Sequence, residues 1–170
     1  MFKPTGIRSM STPQITPQFP HHLAQQHEAI TVIGIELRTT NADAMQTIPP
    51  LWQRFAQDGV QASIPGKLGG DVLAVYTHFE HSGLNNTGLY SLVIGAQVAP
   101  ATPVPAGMVR VVVPASRRAV FAVPATRFDL VGAAWNAVWA NTALPKTFVA
   151  EYECYHANGD ISISIGLAPN

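Results

Sequence analysis

The sequence predicts an α+β fold: two tandem strand-helix-strand-strand modules with pseudo-two-fold symmetry, their antiparallel sheets arranged around a central ligand cleft. Three observations predict it. Short β-rich runs bounded by turn residues recur along the chain, two segments instead carry apolar residues at helical spacing, and the same order of elements occurs twice. At 170 residues and 47% hydrophobic content, the chain is long enough to bury its core as one domain.

Residues 1–25 hold several prolines among Ser, Thr and Gln and read as a poorly structured arm, with Met10 as an alternative start to Met1. The folded domain is expected over residues 29–170. It opens with the strand AITVIGIELRTT, and in NADAMQTIPPLWQRFAQDG the residues Ile48, Leu51, Trp52 and Phe55 form the apolar stripe of a helix. Pro49 and Pro50 set the expected start of that helix and Gly59 its end. VLAVYTHFEH and GLYSLVIGAQV then read as strands flanking the turn-rich SGLNNTG, which completes the first module, residues 29–98.

APATPVPAG connects the halves. In the second module, residues 107–167, MVRVVVP and RRAVFAV read as strands and TRFDLVGAAWNAVWANT as a helix, with Thr126 and Asp129 at capping-box spacing. The module closes with FVAEYECYHANGDISISIGL as a hairpin. VYTHFEH and AEYECYH occupy matching places, as do GLYSLVIG and GDISISIG, and Trp52 matches Trp135. Their shared order indicates an internal duplication.

Composition excludes several function classes. A formal charge of zero argues against a nucleic-acid-binding surface, and Arg117 and Arg118 read as a solvated loop. No run reaches the length of a signal peptide or membrane span, so the protein is expected to be cytoplasmic, as a monomer or homodimer. A single cysteine, Cys154, excludes an internal disulfide and any multi-cysteine metal site. The His21–His22 pair lacks further ligands, and no metal or cofactor is expected.

The last hairpin raises a question about its polar face. Alternation puts Phe148, Ala150, Tyr152 and Cys154 on one side of its first strand and Val149, Glu151, Glu153 and Tyr155 on the other. The second strand divides into Ile161, Ile163 and Ile165 against Ser162, Ser164 and Gly166. Pairing the two apolar sets gives a core face that includes Cys154 and a face of glutamates above small residues. Such a face either meets water or leaves room for a ligand. The duplication favours the ligand, because two sheets backed by helices present their other faces to a shared cleft. Glu151, Glu153 and Tyr155 then line it from the second half, with Tyr76 and Tyr90 from the first.

Taken in order, IPPLWQRF, VLAVYTHFE with GLYSLVIGAQV, PAGMVRVVVPASRRAVFAV, AAWNAVW and the terminal YECY and ISISI resemble the GyrI-like small-molecule-binding domain. This domain, also called the AraC-type effector-binding domain, matches from about residue 33 to 167. The resemblance implies two strand-helix-strand-strand modules around a ligand groove. It is found in sensors fused to DNA-binding domains and in stand-alone forms, including integron cassette products, which this chain closely resembles. It also implies a buried glutamate in a phenylalanine-glutamate-any-tyrosine pattern. YECY fits with Tyr152 in the phenylalanine place, Glu153 as the glutamate and Tyr155 as the tyrosine, while Glu151 on the same face leaves the choice between the two carboxylates open. No segment before Ala29 has a helix-turn-helix pattern, so the ligand-sensing role carries over without direct nucleic-acid binding; transcription regulation would need a separate regulator protein.

A carboxylate in an apolar cleft is costly to desolvate unless paired, and a cation over an aromatic face gains roughly 0.5 to 2 kcal/mol. Glu153 with Tyr76, Tyr90, Trp135, Trp139 and Tyr155, and Glu151 beside it, therefore suits a lipophilic cation such as a drug or dye. Trp52, Leu51 and Phe55 read instead as helix-core residues. No catalytic residue is assigned. Two alternatives remain: a small hydrolase with Glu153 as general base, and a protein-binding module of the gyrase-inhibitor kind. His78 and His81, the best-placed histidines for the first, read as surface residues.

Overall fold

The valine- and isoleucine-rich runs are strands, and the two periodic segments are helices, in the computed structural model, which describes residues 18–170. Strands β1 (His21–Gln26) and β2 (Ile30–Thr40) precede helix α1 (Ala44–Gln57) and the short α2 (Val60–Ser63). Next come β3 (Val72–Thr77), β4 (Leu89–Val98), β5 (Val109–Val113) and β6 (Ser116–Val123). A 3-10 turn, Phe128–Leu130, leads into α3 (Val131–Ala140), and β7 (Ala150–Tyr155) and β8 (Ile161–Leu167) complete the chain.

All eight strands form one antiparallel sheet in the order β1-β6-β8-β7-β3-β4-β2-β5. Read inward from either edge, the order is the same within each half, which is the expected pseudo-two-fold. The halves join through a single seam, β3 against β7, in register from Val72 opposite Tyr155 to Thr77 opposite Ala150. Leu51 and Phe55 of α1 pack on Ile33, Leu92 and Ile94, while Trp135 and Val138 of α3 pack on Phe121, Ile163 and Ile165. Tyr76 and Tyr155 touch both clusters, so both helices lie on the same face of the sheet.

Five local expectations change. The arm expected to residue 25 is a strand from His21 onward, paired with β6 at the place where β5 pairs with β2 in the other half. Its polar side chains suit an edge, and His21 stacks on Phe121 at 4.7 Å. Residues 1–17, including Met1 and Met10, lie outside the described residues.

Helix α1 begins five residues before Pro49. The prolines cannot donate to the carbonyls of Met45 and Gln46, but those two residues are exposed, where solvent can satisfy the freed carbonyls. Gly59 does end the helix, at φ 58°. The capping box at Thr126 is not formed: Thr126 has φ 63°, and Asp129 accepts two hydrogen bonds from Arg127 at 2.8 Å.

Arg118 is not in a solvated loop. It is buried in β6, where its guanidinium donates to Gln26 Oε1 and the Ala150 carbonyl and lies 5.3 Å from the Tyr152 ring centre.

The closing hairpin differs most. Glu153 lies opposite Ile163 and Tyr155 opposite Ile161, so the isoleucines share the face of the glutamates, and Cys154 faces the serine side. The turn fixes that register through a His156 N–H to Asp160 carbonyl bond of 2.9 Å, with Gly159 at φ 97°. Cys154 is still buried, because the opposite face carries its own cluster with Leu73, Val75 and Ala150.

Candidate functional site

Between α1, α3 and the strands beneath them lies a cavity of about 820 Å³, within the range of small-molecule pockets. It sits on the helix-bearing face and not on the face turned away from the helices. The correction follows from the hairpin register, which turns Glu151, Glu153 and Tyr155 toward the helices. All seven residues expected from the sequence line this one cavity: Glu153, Tyr155, Tyr76, Tyr90, Trp135, Trp139 and Glu151. Trp139 and Phe128 are exposed and form its rim.

Trp52 was expected in the helix core, yet it lines the cavity as well. Each helix contributes a tryptophan that crosses the seam to a tyrosine of the other half. Trp52 meets Tyr155 edge-on at 5.1 Å, and Trp135 meets Tyr76 at 5.2 Å. The Trp52–Trp135 equivalence in the repeat was the signal that both belong to one site. Phe79, Val72 and three asparagines, Asn41, Asn86 and Asn136, also line it, without any pattern that marks them in the sequence.

Glu153 is buried at the centre and held by three donors. Trp135 Nε1–H and the Tyr76 hydroxyl donate to Oε1 at 2.7 and 2.8 Å, and the Tyr155 hydroxyl donates to Oε2 at 2.6 Å. Burial raises its pKa, and the three hydrogen bonds oppose that rise without cancelling it. The tyrosines answer in kind: burial first, and the carboxylate second, push the Tyr76 and Tyr155 hydroxyls well above their ordinary range, and Tyr90 to about 12. They remain neutral donors at physiological pH.

Glu151 differs from Glu153 in its partners. It is equally buried, but nothing donates to its carboxylate among the described residues. Burial pushes its pKa up to about 7, against the weaker pull of Arg118 and Lys146. Between about pH 4.5 and 7 the native state keeps a proton that the unfolded chain has lost, so stability falls as pH rises through that window. The full cost, about 3 kcal/mol, applies above it. Glu151→Gln is therefore expected to match the wild type near pH 4 and to be the more stable protein at pH 8, as thermal unfolding followed by circular dichroism at several pH values would register.

The described lining contains no lysine, arginine or histidine, so its only ionisable charges are these two carboxylates. His78 and His81 lie outside it. Chemically, the arrangement offers a partly open aromatic box with two buried carboxyl groups at its floor. No helix of the described residues is long and apolar enough to cross a membrane.

Comparison with known proteins agrees with this fold. The integron cassette protein VCH_CASS2 of Vibrio cholerae superposes with a TM-score of 0.70 at 23% identity, covering 88% of this chain and 97% of its own. SAV2435, solved with tetraphenylphosphonium bound, gives 0.71 at 20% identity over 88% and 94% of the two chains. A putative transcription regulation protein from Staphylococcus aureus gives 0.68 at 20% identity over 89% and 100%. At these identities the likeness shows the fold. No curated protein matches the sequence. Residues 25–166, however, match the family Cass2, described as integron-associated effector binding protein. That match spans most of the chain, all of the sheet except the first four residues of β1 and the last of β8, and every residue of the cavity lining: the chain belongs to the integron-associated effector-binding proteins.

Proposed function

We propose that the protein is an effector-binding protein whose cavity takes lipophilic aromatic cations, with Glu153 recognising the charge. The observation that carries this reading is the lining itself: aromatic walls, and carboxylates as its only ionisable charges. A cation in the box offsets the desolvation of Glu153 and gains from the ring faces of Trp52, Trp135, Tyr76 and Tyr155. SAV2435, which shares the fold, was solved with such a cation. The role that follows is regulation through a separate regulator protein, or sequestration of the ligand by mass action.

The three donors already on Glu153 favour binding over hydrolysis, since a general base needs a lone pair directed at a water. The test is calorimetric titration with cationic, neutral and anionic aromatic compounds, followed by recovery of the bound compound. Selective uptake of cations, recovered intact, is the expected result. A hydrolysed product would replace this reading with an enzyme.

A further inference from the structure

On the opposite side of the same seam, three side chains of different chemistry converge. The Cys154 Sγ lies 3.7 Å from His156 Nδ1 and 3.8 Å from Asp71 Oδ2, and those last two atoms are 3.1 Å apart. Sulfur, nitrogen and oxygen thus form a closed triangle, each atom able to offer a lone pair to a common centre. A tetrahedral zinc ion with ordinary bond lengths places such ligand atoms about 3.4 to 3.6 Å from one another. The triangle's edges, 3.7, 3.8 and 3.1 Å, come within about 0.3 Å of those dimensions.

The surrounding contacts orient the ligands as metal sites require. His156 Nε2 is 3.4 Å from Ser162 Oγ, and a proton on Nε2 directed at that hydroxyl leaves the Nδ1 lone pair facing the triangle. Asp71 Oδ1 accepts the Ala157 N–H at 2.9 Å, which turns Oδ2 inward. Cys154 is buried, whereas Asp71 and His156 are half-exposed, so the solvent side is open to ion entry and to a water as fourth ligand.

We infer that Asp71, Cys154 and His156 form a binding site for a tetrahedral divalent ion of the zinc class. The ligands come from the residue before β3, from the end of β7 and from the β7–β8 turn, with Asp71 and Cys154 separated by 83 positions in sequence. The ion cross-links the two halves at their one seam, directly behind the cavity residues Val72 and Tyr155. Binding converts the Cys154 thiol to a thiolate and releases one proton to solvent, so the site fills more readily as pH rises. A single cysteine in a chain with scattered histidines gives no motif, which is why sequence alone shows no such site.

Cobalt serves as the spectroscopic probe, with the untagged full chain kept reduced and free of chelator. Titration with Co2+ is expected to saturate at one ion per chain, with a thiolate-to-metal charge-transfer band in the near ultraviolet and visible bands of tetrahedral strength. Zn2+ should displace it and raise the unfolding temperature. Cys154→Ser should lose the charge-transfer band. Asp71→Asn keeps the acceptor for the Ala157 N–H, and so the fold, while weakening Co2+ binding about tenfold or more. Cobalt bound without a thiolate band, or bound equally well by Asp71→Asn, would overturn the site and leave the triangle as a hydrogen-bonded cluster held by protons alone.

Discussion

Glu153→Gln is expected to weaken binding of a lipophilic cation by roughly 10- to 100-fold while leaving the protein as stable as the wild type or more so. The first effect follows from removing the central negative charge of the cavity, worth about 1.4 to 2.8 kcal/mol on that scale. The second follows from burial: the carboxylate is raised in pKa by desolvation despite its three donors, so it costs stability when ionised. Glutamine keeps an acceptor for the Trp135 N–H and the Tyr76 hydroxyl, and the Tyr155 hydroxyl rotates to receive its amide. Binding and stability should therefore move in opposite directions, a trade common at functional sites. Titration calorimetry and thermal unfolding on the same preparation measure both.

Trp135→Ala should have the largest effect on stability, a loss of about 3 to 5 kcal/mol. Trp135 is almost fully buried between α3 and the seam, packs against Tyr76 and Trp139, and donates the 2.7 Å bond to Glu153. The substitution opens a cavity and leaves the buried carboxylate with two donors in place of three. Trp135→Phe separates the two effects, since it keeps most of the ring and deletes the donor, and should cost about 1 to 3 kcal/mol. Denaturant unfolding, read by circular dichroism, orders the variants. Equal losses for Ala and Phe would mean that the hydrogen bond, and not the packing, accounts for the effect.

The sequence carried the modules, their duplication and the residues of the site further than it carried their direction. Alternation correctly separates Glu151, Glu153 and Tyr155 from Ala150, Tyr152 and Cys154. It cannot say which set meets the isoleucines of β8, because a shift of one residue in register exchanges the faces. The five-residue turn sets that register, and here it puts the glutamates among the isoleucines. The opposite face is buried too, by Val32, Val75, Val93 and Val113, so neither side of the seam reads as solvent. Trp52 and Trp135 show the same limit. Their helical spacing marks them as inward-facing, but the gap between two helices from different repeats is a tertiary property. Asn41, Asn86 and Asn136 enter the lining through loop and helix geometry that no local pattern records.

On the proposed reading, the position of the buried carboxylates would let one cavity be both apolar and selective for cations. Tyr76, Tyr155 and Trp135 each present a ring to the cavity and a polar hydrogen to Glu153. The same side chains thus supply the box and fix the carboxylate within it, so the proposed binding of a cation would need little reorganisation.

Tetraphenylphosphonium and tetraphenylborate match closely in size and shape and carry opposite charge. All three tryptophans of the chain line the cavity, so their fluorescence reports its occupancy directly. Titration of both ions at neutral pH should show quenching that saturates with the phosphonium and no saturable response to the borate. Comparable binding of the borate would contradict recognition of charge by Glu153 and would reduce the cavity to a hydrophobic box.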